Sequence, residues 1–477
     1  MLLPCYAGVA DVGPAGLRDD GPVTDAPPFP PAWARLVTAW LAAGPESSAG
    51  ETLLRSALDD GVHGLDLPQA PAVTVGQGRR CEVALVRLAG AVDEAGYLAH
   101  NPPQAERGID PVDHFCRRGW RALRNPSLDF DVWWYWAEYL DPTDESETAT
   151  NPLVHYLVDG RHRGLLPLPR RTPRAACRVS SPRRACLFAT YDPDGLVDDT
   201  VVAFVTELAR HADVFVCADG APRPGQLERL AGVATGVWAR QHGAHDFGSW
   251  RLLAGDLVGW DTLAGYDEVL LANDSCWLVR PLDEVFTRME QRECDLWALQ
   301  LTARRFEPEP WEPQAVPLDE VRRSWIRPGA FRSRERVHLG SYFLALRRPV
   351  LDDPGFRNRL DAVRPQPDHD NLVQKYETGV TTYLLGQGFA FDTWLPELRP
   401  NHPVYGPGAF ELLAEGFPLF KRRFLVANPY DTLDLVDWKA RILAAAPDAA
   451  VETFERNLLR VADPEALARS FAIRSSG

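Results

Sequence analysis

The sequence predicts an α/β protein: a doubly wound, mostly parallel sheet preceded by a small α-helical repeat region. Three observations carry that reading. Between residues 185 and 275, short apolar runs alternate with helix-like stretches, and polar residues follow each run. Ahead of them, two segments share aromatic, Asx-Pro and glycine landmarks. A polar stretch rich in Arg and Pro, Arg170 to Arg184, separates the two patterns.

Residues 1–75 are rich in Pro, Gly and Ala, with one helix-like patch near Ala32 to Ala43, and read as a partly ordered leader. Residues 76–169 hold the repeat. One copy runs through Val92-Asp93, Tyr97-Leu98, Asp110-Pro111-Val112-Asp113-His114-Phe115, Gly119 and Asn125-Pro126. The other runs through Phe130-Asp131, Tyr135-Trp136, Asn151-Pro152-Leu153-Val154-His155-Tyr156, Gly160 and Pro167. The early landmarks are offset by 38 positions and the later ones by 41, so a connecting loop absorbs the difference. Asx-Pro starts a helix and Gly stops it. His114 and His155 each stand alone beside an aromatic, which favours packing over metal binding. Trp133-Trp134-Tyr135-Trp136 could stack on sugar rings, but its helical spacing favours core.

After the 170–184 linker come five elements in order. Ala185–Thr190 is a strand ending at Tyr191-Asp192, and Thr200–Arg210 is an amphipathic helix. Val214–Ala218 is a strand ending at Asp219-Gly220, followed by a short helix over 226–231 and a strand over Gly236–Ala239. The most informative stretch follows. A glycine-rich turn, Gly243-Ala244-His245-Asp246-Phe247-Gly248-Ser249, opens a helix expected from Trp250 to Trp260. The apolar run Val269–Ala272 then delivers Asn273-Asp274-Ser275. Open α/β sheets bind ligands at the carboxyl ends of their strands. Carboxylate and amide oxygens suit a hard divalent cation, and such a cation suits a pyrophosphate. The pattern implies chemistry on a nucleotide sugar.

Bulk properties narrow the alternatives. A chain of 477 residues is long enough for two or three domains. A net charge of −15 argues against nucleic acid and against nonspecific binding to an anionic membrane. The eight cysteines lie apart without a CxxC pair, as expected of reduced core thiols in a cytoplasmic protein. Met1-Leu2-Leu3-Pro4-Cys5 carries no basic region and no long apolar stretch, so no signal peptide is expected, and no apolar segment is long enough to span a bilayer. No G-x-G-x-x-G follows the first strand, which disfavours a Rossmann dehydrogenase.

Taken in order, the elements resemble a GT-A glycosyltransferase and, more specifically, the rhamnan synthesis protein F family, which is implicated in building rhamnose-rich bacterial polysaccharides. The matching pieces are His245-Asp246-Phe247-Gly248-Ser249-Trp250, Tyr266 to Ser275, Asp295-Leu296-Trp297, His338 to Leu344, Gln374-Lys375-Tyr376-Glu377 and Gly416 to Lys421. The repeat copies resemble short repeats found beside bacterial glycosyltransferase domains. The resemblance covers roughly residues 185–430, leaving 431–477 as a C-terminal helical extension. It departs from the family pattern at Gly340 (usually Gln), at Ala298 (usually Gly) and at Cys276-Trp277-Leu278-Val279, where a shorter segment is usual.

The resemblance implies inverting transfer of a sugar, rhamnose from dTDP-rhamnose, to a carbohydrate or lipid-linked glycan acceptor. That is cell-wall polysaccharide synthesis, expected in the cytoplasm and at the inner face of the membrane. Asp274 is the candidate for a divalent cation (Mg or Mn) and the pyrophosphate, against a turn-capping alternative. Its neighbours Asn273 and Ser275 are not acids, so arginines or Lys421 are the alternative carriers of phosphate charge. Tyr191 and Asp219 join the nucleotide-sugar candidates, Asp219 also fitting a plain Asp-Gly turn. Asp246 joins them too, with N-capping as its alternative. Glu377 is the candidate general base, against an acid that merely favours a helix dipole; Asp370, Asp368 and Asp295 are fallbacks. His338 and Tyr342 are the candidates for the acceptor side, with packing as strand residues the equal alternative. The rival reading is a non-catalytic carbohydrate- or nucleotide-sugar-binding protein on a degenerate scaffold.

Overall fold

The computed structural model describes residues 29–69, 72–172, 174–303, 315–326, 329–331, 336–399, 402–406 and 408–472. The chain divides into two compact units. The first is formed chiefly by Thr172–Ile326 and Val337–Gly477, the second by Gly8–Arg171 with Arg327–Arg336.

The first unit is built on a seven-stranded sheet. Its strands in chain order are β1 (Arg184–Thr190), β2 (Asp213–Ala218), β3 (Gly236–Ala239), β4 (Glu268–Asn273), β6 (Leu296–Ala298), β10 (Phe343–Arg347) and β11 (Phe391–Thr393), with short β5 (Cys276–Leu278), β7 (Leu301–Ala303), β8 (Val316–Pro317), β9 (Val337–Leu339), β12 (Glu397–Leu398) and β13 (Leu419–Lys421) outside it. The spatial order is β11-β6-β10-β4-β1-β2-β3. Strands β1, β2, β3 and β4 are mutually parallel, β11 is parallel to β6, and only β10 runs against its neighbours. Burial on both faces explains why β1 and β4 read as unbroken apolar runs. The chain reverses its direction of strand addition between β1 and β4, so their carboxyl ends flank a crevice.

Two minor ladders complete this unit. Strand β5 pairs antiparallel with β13, setting Cys276 opposite Lys421, and β7 pairs with β9, setting Thr302 opposite His338. The departure at Cys276–Val279 therefore supplies β5. Its Trp277 anchors a second core, with its ring 5.0 Å from Phe454 and 5.8 Å from Trp438. The helices Trp438–Ala445, Val451–Val461 and Pro464–Ala472 thus pack beneath the β5–β13 ladder. The helix expected from Trp250 to Trp260 is broken: His245–Leu252 is α-helical, Leu253–Leu257 forms a π-helical turn, and Trp260–Leu263 is a separate short helix after Gly259 at φ 87°.

The second unit is helical. Helices Pro31–Ala43 and Ser48–Asp60 precede Val75–Ala89, so the stretch read as a leader holds two helices. The two repeat copies make the same contacts. Tyr97 Oη lies 2.8 Å from His114 Nδ1, and Tyr135 Oη lies 2.8 Å from His155 Nδ1. A Cβ on Gly119 would come within 2.2 Å of the Tyr97 hydroxyl, and one on Gly160 within 2.0 Å of the Tyr135 hydroxyl. These glycines make room for a tyrosine and do not act as the expected stops, since Gly160 opens a short 3-10 turn and Trp120 after Gly119 keeps helical backbone angles. Asp110 and Asn151 cap the Asx-Pro helices, as their position dictates. Trp133, Trp134, Tyr135 and Trp136 are all buried.

Candidate active site

The carboxyl edge of the sheet gathers most of the candidate residues. At the end of β4, the Asn273 amide donates to Asp246 Oδ2 at 2.6 Å. Ser275 Oγ donates to Asn273 Oδ1 at 2.5 Å, and Lys421 Nζ donates to Ser275 Oγ at 2.6 Å. A continuous hydrogen-bonded chain thus joins Asp246, Asn273, Ser275 and Lys421. Asp246 lies in the first turn of its helix and caps nothing, since the cap position is Ala244; its carboxylate serves the strand end instead. The preceding turn is strained, with Gly243 at φ 65° and His245, a non-glycine, at φ 50°.

Asp274 ties β1 to β4. Its Oδ2 accepts from the Thr190 hydroxyl at 2.7 Å and from the Tyr191 backbone N–H at 3.1 Å, and its Oδ1 has no hydrogen-bond partner among the described residues. Tyr191 itself is exposed. The loop that follows is fixed from the far end of the chain: Arg460 binds Asp192, Asp194 and Asp198 at 2.6, 3.0 and 2.8 Å. Asp219, at the end of β2, accepts the backbone N–H groups of His242 and Gly243 at 2.9 and 3.2 Å, which pins the glycine-rich turn.

Glu377 enters from a later helical run. It does not open a helix: it sits inside a π-helical turn, Val373–Thr378, between helices His369–Leu372 and Gly379–Gly386. The helix-dipole alternative therefore does not apply, and π-helical turns are frequent at functional sites. Glu377 Oε1 accepts from Ser341 Oγ at 2.8 Å, while Oε2 makes no hydrogen bond among the described residues. Tyr342 is buried, and its ring faces Lys421 Nζ at 4.6 Å to the centroid; its hydroxyl has no hydrogen-bond partner among the described residues. Gly340 makes this possible, because a Cβ there would come within 2.8 Å of the Tyr342 ring. The departure from Gln at this position is thus coupled to the ring that lies against Lys421.

The electrostatics are those of crowded acids. Burial, with Asp274 and Glu377 nearby, pushes the Asp246 carboxyl up to about 7 against the pull of Lys421 and Asn273. Burial also raises Asp274, opposed by Arg422 and the hydrogen bonds from Thr190 and Tyr191. Burial alone would lower Lys421, but Tyr405, Cys276, Glu377 and Asp246 around it hold it above its ordinary value. Surplus negative charge beside open carboxylate oxygens fits a divalent cation that completes its shell with diphosphate oxygens and water. Among the described residues, the one cluster of three acidic and histidine ligands lies elsewhere, at Glu207, His211 and Asp283, where Arg210 already bridges both acids.

His338 is a buried residue of β9, paired with Thr302 of β7. Asp295 is fully buried and accepts the backbone N–H groups of Cys177 and Ala390, so it is structural; Asp368 caps the helix His369–Leu372. Ser341 and Tyr405 were not singled out in the sequence. Ser341 stands inside a quoted motif, but nothing in the sequence marks Tyr405. A further trio, Ser249, His242 and Asp219, has the composition of a hydrolytic triad. It is not one: Ala244 N–H donates to His242 Nδ1, and Ser249 is buried.

The family profile described as rhamnan synthesis protein F matches residues 214–468, more than half of the chain. The chain belongs to the rhamnan synthesis protein F family. Of the candidate residues, Asp219, Asp246, Asn273, Asp274, His338, Tyr342, Glu377 and Lys421 lie inside the matched stretch of this family, and Tyr191 lies before it. Two solved structures are similar to it at low levels. Core-mannan synthase A (CmsA/Ktr4) from Aspergillus fumigatus, in a Mn/GDP form, has 11% identity and a TM-score of 0.27, over 46% of this chain and 78% of that one. S. aureus TarS 1-349 has 9% identity and a TM-score of 0.25, over 56% and 81%. No curated protein matches the chain. Family membership and the mostly parallel sheet support a polysaccharide glycosyltransferase. No helix among the described residues is long and apolar enough to cross a membrane.

Proposed function

We propose that this protein transfers a hexose or deoxyhexose, rhamnose from dTDP-rhamnose by family resemblance, to a carbohydrate hydroxyl with inversion at the anomeric carbon. Glu377 takes the proton of the acceptor hydroxyl through its open Oε2. The acceptor oxygen forms the new bond to the anomeric carbon as the bond to the diphosphate breaks, and that electron pair leaves with the diphosphate. Lys421, held by Ser275, neutralises the leaving charge. Asp274 is the residue that would hold a divalent cation, which when bound supplies further charge neutralisation at the diphosphate. Tyr191, Asp219, Asp246 and Asn273 shape the nucleotide-sugar side, and Tyr342 and His338 the acceptor side.

The observation that carries this reading is the Asp246–Asn273–Ser275–Lys421 chain at the switch point between β1 and β4, with Glu377 close enough to act on both Asp246 and Lys421. The test is incubation with dTDP-, UDP- and GDP-sugars and neutral oligosaccharide acceptors, following nucleotide release and the anomeric configuration of the product. Thermal stabilisation by a nucleotide sugar without turnover on any acceptor would favour the binding-protein reading. A product that retains configuration would remove Glu377 from the role of base.

A further inference from the structure

The helical unit contains a cavity of about 360 Å³, within the range of about 300–1,000 Å³ usual for small-molecule sites. It is framed by the start of helix Pro31–Ala43, the Val62-His63 turn, helix Val75–Ala89 and helix Pro152–Val158. Phe29, Trp33 and Val154 give it apolar walls. Two polar groups in those walls are unspent. Glu82 is 5% exposed, and among the described residues its one hydrogen bond comes from Asn151 Nδ2 at 3.3 Å. The Trp33 indole N–H is buried with no hydrogen-bond partner among the described residues. Asp159 in the same lining differs, because His155 and Arg163 already approach its Oδ2 at 3.1 and 3.0 Å.

Leaving a buried carboxyl and an indole N–H short of partners costs free energy that a ligand with hydroxyls would recover. A phosphate-bearing ligand is disfavoured, since Glu82 and Asp159 line the cavity and Arg35 beside them is exposed. A purely apolar ligand would leave Glu82 and Trp33 unsatisfied. A neutral pyranose meets both demands: its hydroxyls donate and accept, and its C–H face packs on an aromatic ring. Burial pushes the Glu82 carboxyl up to about 7, so it can either accept or donate near neutrality. We propose that this cavity binds one neutral pyranose unit of a glycan, held by Glu82, Asn151 and the Trp33 indole. It is a saccharide site independent of the transferase reading.

The test uses the full chain, with methyl α-rhamnopyranoside, methyl α-mannopyranoside and methyl α-glucopyranoside as probes, in saturation-transfer NMR and calorimetry. At least one probe is expected to bind. Glu82→Gln should weaken it about tenfold, and Trp33→Phe, which keeps the aromatic wall, about threefold to tenfold. Asp274→Ala and Glu377→Gln should leave this binding unchanged, whether or not transfer activity exists. Absence of binding by all three probes overturns the proposal. So does binding that survives Glu82→Gln and Trp33→Phe but is lost in Asp274→Ala, which would put the sugar at the sheet edge.

Discussion

The two ends of β4 carry acids that the fold treats in opposite ways. At its amino end, Glu268 is 1% exposed and fully engaged: Arg184 Nε, Trp297 Nε1 and Arg347 Nε approach it at 2.8, 2.8 and 3.0 Å. Arg347 is itself fully buried and spends its other donors on the carbonyls of Met289, Arg292 and Cys294. At the carboxyl end, six residues on, Asp274 and the neighbouring Asp246 keep open oxygens; burial raises both carboxyls, and Asp274 raises that of Asp246 further. A buried network with every member paired specifies a fold; a partly exposed one with surplus charge is ready for something to bind. Position along a parallel strand sorts the two.

Glu377→Gln offers the largest effect. It keeps shape and most hydrogen bonding but removes the proton acceptor, so turnover should fall about 10²–10⁴-fold while donor affinity, measured by calorimetry, stays near the parent value. Nearly full turnover would move the base to Asp370. A joint loss of turnover and thermal stability would make Glu377 structural, and the carboxyl edge would then resemble the amino end.

Glu268→Ala tests the other end. It leaves Arg347 buried without its counter-charge and should cost about 3–5 kcal/mol in urea unfolding. A cost of about 0–1 kcal/mol, the size of a surface ion pair, would dissolve the contrast.

The sequence made the β4 edge legible because local cues sufficed. Apolar runs ending in Tyr191, Asp219 and Asn273-Asp274-Ser275 mark buried parallel strands and their polar ends, and those strands are β1, β2 and β4. What it hid is long-range. Lys421 reaches Ser275 across 146 positions only because β13 pairs with β5. Ser341 meets Glu377 because β10 runs antiparallel, bringing its amino end to the carboxyl edge of its neighbour β4. The π-helical turns at Leu253–Leu257 and Val373–Thr378 insert a residue into otherwise regular helical periodicity, so neither the broken helix nor the setting of Glu377 could be read. Glu268 looked like an ordinary strand-opening acid, because its arginine partners lie 84 and 79 positions away.

Lys421→Met and Asp274→Ala separate the two charges at the donor side. Loss of a charge-assisted contact is worth about 1.5–3 kcal/mol, so Lys421→Met should weaken nucleotide binding roughly tenfold to a hundredfold in calorimetry. Asp274→Ala should instead abolish the difference between titrations with and without Mg²⁺. If the difference persists, Asp274 only ties β1 to β4.

The smallest effect is a pH slope at Asp246. Burial, then Asp274, raise its carboxyl from 3.8 to about 7, so between those values the folded state holds a proton that the unfolded chain has released. The stabilising contribution is therefore complete below about pH 4 and is lost as pH rises through about 7. In chelated buffer, the parent's urea midpoint should fall across that window, and Asp246→Asn should fall less. Asp274 and Glu82 are also raised, so part of the slope remains in the variant, and the difference between the two curves isolates Asp246. Lys421 lowers the Asp246 value, so Lys421→Met should carry the fall to higher pH. Parallel curves for parent and Asp246→Asn would mean that the Asn273 hydrogen bond and solvent at this partly exposed carboxylate suffice to keep it charged, as full pairing does for Glu268.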